Sequence, residues 1–241
     1  MLNLWKYWSN EVIEFYCHPN LKGVIPEPRP AVKNFPDWFT SLPSEDASEK
    51  DIFNTPTMTA KKCFPLLDAM SLGFAIPLCG DVYVKTNNDN TQIQANDPPG
   101  LHLVEFHSVK QIGGESGPGY PLPPIKFINH WVIKTAPGWS TLFVPPMNHF
   151  NKNFTCLSGL VDTDKYPKEV NFPAVWHTEN FDGVVKAGTF LVTAIPIKRN
   201  SFNKRVKIRD MKREEFRDIG VLTQQQATRK NVYTNELREK K

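Results

Sequence analysis

The residues with the greatest chemical potential lie in one short run, Ser158-Gly-Leu-Val-Asp-Thr-Asp-Lys-Tyr166. Asp162 and Asp164 stand two residues apart. In extended chain, alternate side chains project to the same side. Two carboxylates held that close raise the proton affinity of one of them, which suits a general base or a metal clamp. Tyr166 supplies a flat ring on which a base or a sugar can stack. The same spacing also suits a capped turn, because Asp side chains accept backbone N–H groups there. Asp162 and Asp164 are thus candidate catalytic groups, and a capped turn is the alternative use.

A second cluster is His102-Leu-Val-Glu-Phe-His107. On a strand, Glu105 and His107 point one way and His102 the other. The strand then offers two metal ligands, Glu105 and His107, and a third must come from His130, His149 or His177. Histidines satisfied on a β surface are the alternative. Asn148 and His149 follow Pro145-Pro-Met147 on a loop after a strand, where ligand donors are often placed. An Asn that holds its own turn fits equally well. Tyr166, Asn148, Gly138 and Trp139 make up the candidate ligand-binding set. There is no Walker loop, no dinucleotide glycine fingerprint and no nucleophile elbow. Ser140 and Ser158 lack a local base, so a serine hydrolase is not indicated.

These groups must be held by a fold rich in turns. Among 241 residues there are 21 Pro and 13 Gly, and 40% of the chain is apolar. That favours many short strands over long helices. No apolar run is long enough for a transmembrane helix, and the N-terminus lacks the order of a signal peptide. The four cysteines are widely spaced, which reads as reduced thiols in a cytoplasm. Charge is uneven. Residues 198–241 carry 14 of the 29 Lys and Arg but only 6 of the 25 Asp and Glu, a surplus of eight that leaves residues 1–197 at −4. Such a tail can seek nucleic acid, an acidic partner or the body's own acidic face, or can simply be solvated.

Three segments are expected: an N-terminal strand and Pro-rich wrap over 1–59, a β-rich body over 60–209 and a basic helical tail over 210–241. A strand is expected over 12–17, then an extended Pro-rich crawl over 19–43 pinned by Phe35, Trp38 and Phe39. Ser44–Lys50 reads as polar and mobile, and 65–71 as one helical turn. Further strands are expected over 74–78, 81–85, 91–95, 101–109, 125–134 and 139–144, with a turn at 87–90 and a loop over 113–124. Two or three more lie in 154–199 and one over 203–209. Residues 211–217 and 223–239 read as helices. Leu160 and Val161 are expected in the core.

Two resemblances bear on this pattern. Phe64–Leu78, Trp131–Ser140, the Pro-Pro-Met-Asn148 segment, Leu157–Tyr166 and Gly188–Arg199 together resemble an uncharacterised domain family of bacteria and tailed phages, notably T4-like cyanophages. That family brings no established activity. More distantly, Ala136–Val144, Gly159–Tyr166 and Val184–Ile195 are similar in order to the dUTPase and dCTP deaminase superfamily. This resemblance implies a β-clip of short, bent strands, often trimeric. It matches Asp162 to a water-activating or sugar-binding Asp, and Tyr166 to the family's Tyr with Lys165 interposed. The family's phosphate-binding Arg-Ser-Ser is absent, Pro167 replaces a Gly, and a basic helical tail stands in place of the glycine-rich arm.

The expectation is a mainly β chain, β-clip-like or a distorted barrel, with a Pro-rich N-terminal segment and a helical tail. Its expected role is a β-clip-like, phage-related binding or assembly module without dUTPase catalysis, in the host cytoplasm or virion. Partners would be copies of itself, as a trimer, or other phage proteins. One alternative is a nucleotide-binding protein or pyrophosphatase that uses Mg²⁺ with Asp162 and Tyr166. Another is a metal-dependent barrel enzyme built on Glu105 and His107.

Overall fold

The computed structural model describes residues 13–50, 54–202 and 206–239. They form two compact units, one of residues up to Leu42 plus Ala69–Ser201, the other of Pro43–Asp68 plus Phe202 onward. The division falls after Leu42, Asp68 and Ser201, not at 59 and 209. The chain is mainly β, its sheets are small and every strand pairing is antiparallel. They stay open and do not close into a barrel. No helix among the described residues is long and apolar enough to cross a membrane.

In the first unit, a five-stranded sheet runs in the order Gly159–Val161, Trp139–Val144, Phe190–Lys198, Phe74–Pro77 and Arg29–Pro30. A four-stranded sheet orders Phe154–Cys156, Phe172–Trp176, Ile125–Phe127 and Val104–Phe106. Asp182–Val185, Val82–Thr86 and Ile93–Asn96 make a third sheet, and Ile13–Tyr16 pairs with Val132–Thr135. In the Phe190–Lys198 strand, Leu191, Val192, Thr193 and Ala194 are all buried, so both of its faces are covered at that point. One apolar cluster joins the sheets, with Ile76, Leu78, Val82, Phe127, Trp131, Ile133, Phe143 and Phe172 among its members. Paired rings reinforce it, with Phe127 and Phe154 centred 4.8 Å apart and Phe143 and Phe172 5.4 Å apart.

Several expectations need correction. The expected strand over 125–134 is two strands in two different sheets. Asn129 causes the break: its Oδ1 accepts the Trp131 N–H at 3.1 Å and its Nδ2 donates to the Trp131 carbonyl at 2.7 Å. A side chain that bonds the backbone two residues on replaces the ladder with a turn. The expected strand over 101–109 shrinks to Val104–Phe106, because Asp97 Oδ1 takes the Leu103 and Val104 N–H groups. Five strands, not two or three, occupy 154–199. The Pro-rich stretch is more than an extended crawl. Arg29–Pro30 adds to the sheet edge, Asp37–Thr40 makes one helical turn, and Ile25, Ala31 and Phe39 are buried. The Trp131 indole N–H donates to the Pro26 carbonyl at 2.9 Å and ties this stretch to the core.

In the second unit, Glu45–Lys50 pairs with Pro56–Met58 as a ribbon. Every residue of Glu45–Lys50 is exposed, so it carries none of the apolar alternation that marks a strand in sequence. One helix, Arg213–Thr228, replaces the two expected. Gly220 does not interrupt its ladder, and the helix ends where Arg229 turns extended. The shorter turn Tyr233–Leu237 follows. The Arg238 fork grips the Asp68 carboxylate at 3.0 and 2.7 Å and lies over the Phe64 ring. The strand expected over 203–209 is absent from its described part, where Val206 and Ile208 are exposed; 203–205 lie outside the described residues. The helix Phe64–Ser71, two turns rather than one, carries the chain from the second unit into the first.

Gly73 shows how tight the sheet is. Its φ is +75°, and a Cβ there would sit 2.4 Å from the Ala194 carbonyl oxygen. Gly23 has φ +78° but open space around it. Gly73→Ala should therefore cost about 3 kcal/mol in urea unfolding, while Gly23→Ala should cost only the backbone strain of about 1 kcal/mol.

Candidate functional site

The Asp162–Tyr166 stretch is a turn at the end of an edge strand. Gly159–Val161 pairs only with Trp139–Val144, and the chain then folds on itself, with Lys165 and Tyr166 N–H both donating to the Asp162 carbonyl at 2.8 and 2.9 Å. This is not the hairpin that the dUTPase resemblance implies, because among the described residues no return strand pairs with Gly159–Val161. Leu160 is exposed and Val161 half-buried, against the expectation that both sit in the core; an edge strand covers only one face. Thr163 anchors the turn. It is buried, and its hydroxyl lies 2.7 Å from that of Thr135 and 2.8 Å from that of Thr141.

The two carboxylates do converge, but around a cation. Asp164 has only 2% of its side chain exposed, and it accepts both terminal nitrogens of Arg199, Nη1 at 2.7 Å. It also accepts the Gly138 N–H at 2.9 Å. Asp162 keeps 54% of its side chain in solvent. Its Oδ1 accepts the Ser140 hydroxyl at 2.6 Å and lies 3.3 Å from Arg199 Nη1. The same Nη1 donates to the Trp139 carbonyl at 2.8 Å. Burial pushes the Asp164 pKa up, but the Arg199 and Gly138 hydrogen bonds outweigh it and hold the carboxyl below its ordinary value. The expected like-charge repulsion is thus replaced by shared pairing to one guanidinium. Asp164 is an ionised carboxylate whose lone pairs are occupied, which is the state of a clasp and not of a proton acceptor. Asp162 and the half-exposed Tyr166 are the parts of the turn that face solvent.

The candidate ligand set is split. Gly138 and Trp139 begin the Trp139–Val144 strand beside the acidic turn, whereas Asn148 lies beyond its other end. A strand of that length separates them by about 20 Å. Asn148 has φ +61°, and its carbonyl accepts the Trp38 indole N–H at 2.9 Å. Glu105 and His107 are not brought together as a metal pair. Glu105 is bonded to Lys126 and lies 3.2 Å from His102 Nε2, whereas His107 Nδ1 lies 3.2 Å from Gln111 Oε1. His102 meets Glu105, contrary to expectation, because the strand begins only at Val104. His102 Nδ1 is 2.7 Å from Asp97, so the ring bridges two carboxylates. Among the described residues no group of three or more His, Cys, Asp or Glu can hold a metal ion. Two of the four thiols are also withdrawn: Cys79 and Cys156 are buried, and burial pushes the Cys156 pKa up to about 12, whereas Cys17 is half-buried and Cys63 exposed.

Sequence reasoning passed over Arg199 and weighed Ser140 only as a nucleophile, not as the partner of Asp162; these two groups close the site. Their only sequence signal was position, Ser140 just after a Pro-Gly turn and Arg199 two residues beyond the largely apolar stretch Phe190–Ile197. No protein-family model matches the chain, and no curated protein matches it.

Two pH effects follow. Asp164 has a depressed folded pKa, so its stabilisation is complete above the ordinary value of 3.8 and is lost as pH falls through the folded value. His102 has a raised folded pKa, caused first by the Asp97 and then by the Glu105 hydrogen bond. Its stabilisation is complete below 6.5 and is lost as pH rises through the folded value. Urea midpoints measured against pH should show both slopes; Asp164→Asn should remove the acid one and His102→Gln the other. Asp164→Ala should cost about 2 kcal/mol at neutral pH, the low end for a buried pair because Arg199 stays partly solvated.

Proposed function

We propose that the chain is a non-catalytic assembly module that associates with further copies of itself through its C-terminal arm. The observation that carries this reading is the helix Arg213–Thr228, which buries none of its residues. Phe216 is 72% exposed, and with Ile219 and Leu222 it forms an apolar stripe at three-residue steps. The lead-in exposes Val206 and Ile208 at 84% and 94%. An isolated helix of this length is marginal in water, so its apolar stripe needs a covering surface. Charge favours a second copy: the tail from 198 carries +8 and residues 1–197 carry −4. The occupied carboxylate of Asp164 also favours a structural role, since it takes one of the two acids out of proton transfer and leaves only Asp162 facing solvent. The resemblance to a family that is often trimeric supports a trimer, and the resemblance to phage domains supports a role within an assembly.

Light scattering and sedimentation on the full chain test this. The wild type should self-associate, and Phe216→Glu with Ile219→Glu should yield a monomer whose core unfolds at an unchanged urea midpoint. A wild type that stays monomeric at high concentration would sink the reading.

A second reading, a nucleotide-binding protein related to dUTPases, is favoured by the exposure of Asp162 and Tyr166 on one turn. Asp162 would then meet Mg²⁺ or a water, and Tyr166 the sugar. It predicts a rise in melting temperature with a deoxynucleotide, dependent on Mg²⁺ and lost in Asp162→Ala. No shift across a deoxynucleotide panel removes it.

A further inference from the structure

The Asn148 loop and the Pro-rich segment meet around an open cleft of about 460 Å³, whose walls include Asn34, Trp38, His149, Phe150, Asn151 and Phe190. We propose that this cleft binds a neutral saccharide. It belongs wholly to the first unit and is independent of the C-terminal arm.

The cleft has two aromatic faces open to water. Trp38 is 37% exposed and Phe150 is 78% exposed. Their centroids lie 6.2 Å apart with the planes tilted by 44°, so the rings form an open V and do not stack shut. The Trp38 ring is set in advance. Its N–H is spent on the Asn148 carbonyl at 2.9 Å, and its face meets the buried Phe39 edge-on at 5.6 Å. A Phe left this exposed beside a fixed Trp gains by stacking on a ring with an apolar face.

Polar groups surround these faces with complementary roles. Arg29 donates to Asn34 Oδ1, and Asn151 Oδ1 accepts the Asn153 N–H at 2.9 Å. Each amide therefore keeps its NH₂ as the donor end. Asp37 adds a carboxylate acceptor to the wall. His149 is half-buried with its ring edge-on to Phe190 at 5.1 Å. Burial lowers its pKa, only partly opposed by a hydrogen bond to the Asn34 backbone, so the neutral ring is favoured and one of its nitrogens is already engaged.

The charge of the wall selects the ligand class. None of the described residues lining this cleft is Lys or Arg. A phosphate or sulfate group would find no lining cation, with the nearby Arg29 already engaged by Asn34, and would face Asp37. A sugar ring fits what is present: its C–H face lies on an aromatic ring, and its rim of hydroxyls both donates and accepts. An open cleft also suits a chain of sugars better than a fully enclosed small molecule.

The test is titration calorimetry and saturation-transfer NMR on the full chain. The probes are neutral hexose and N-acetylhexosamine oligosaccharides, with uridine and a sulfated glycan as comparison arms. At least one neutral oligosaccharide should bind, and neither comparison probe should compete. Phe150→Ala, at a residue already in solvent, should weaken binding about tenfold or more without lowering the melting temperature or changing the oligomeric state. Trp38→Ala should do the same, and Phe150→Ala stands alone if that variant fails to fold. The proposal is overturned if no neutral oligosaccharide binds at roughly 10 mM, if uridine or the sulfated glycan competes, or if Phe150→Ala binds unchanged. It is also overturned if Phe150→Ala dissociates an oligomer, because the exposed ring would then belong to a contact between copies.

Discussion

The first unit depends on the pairing of Arg199 with Asp164. One guanidinium reaches the turn before the Trp139–Val144 strand, the turn after Gly159–Val161 and the end of its own strand, Phe190–Lys198. A carboxylate as buried as Asp164 is tolerable only if its lone pairs are filled, and Arg199 with the Gly138 N–H fills them. The three threonine hydroxyls behind it extend the same constraint into the sheet. Such a cluster has one good arrangement, which fixes where the strands must end.

How far the sequence predicts this structure varies with the physics involved. Runs such as Val82–Thr86 and Ile93–Asn96 are legible because apolar residues alternate between a buried and a wetter face, whereas Trp139–Val144 breaks that alternation at the buried Ser140 and Thr141 and is marked by the Pro-Gly turn before it. The Asn87–Asn90 turn is equally legible, and Asn90 does take positive φ. The ribbon Glu45–Lys50 carries no such signal, since neither of its faces is buried. Asn129 ends a strand through its own side chain, and nothing in composition separates that Asn from one that faces solvent. The candidate site divides in the same way. The Asp162–Asp164 pair is visible as spacing, but its partner lies 35 residues beyond Asp164. The Trp38–Asn148 contact spans 110 residues. Spacing can name a pair of acids; it cannot say which cation the fold will bring to them.

The two ends of the Trp139–Val144 strand have different chemistry. At one end the buried Asp164 carboxylate and the three threonine hydroxyls are satisfied internally, and the result is rigidity. At the other, Asn148 spends its carbonyl to fix one aromatic ring and leaves that ring's face uncovered. The clasp and the proposed saccharide cleft thus lie at opposite ends of one strand, so that changes at the cleft need not disturb the clasp. In the second unit, the helix Arg213–Thr228 leaves its apolar stripe unburied among the described residues.

The Phe190–Lys198 strand also sets the order of events as the chain is made. It lies between Trp139–Val144 and Phe74–Pro77, and it pairs Thr193 with both Val144 and Ala75. The Phe74–Pro77 strand therefore leaves the ribosome long before the neighbour that completes its ladder. Until that neighbour arrives, Ala75 and Ile76 must wait with an open edge. Closure of this sheet is a late, non-local step, of the kind that makes folding slow and exposes the nascent chain to aggregation. A cell that makes this protein has reason to shield the middle of the chain until its last strand is out.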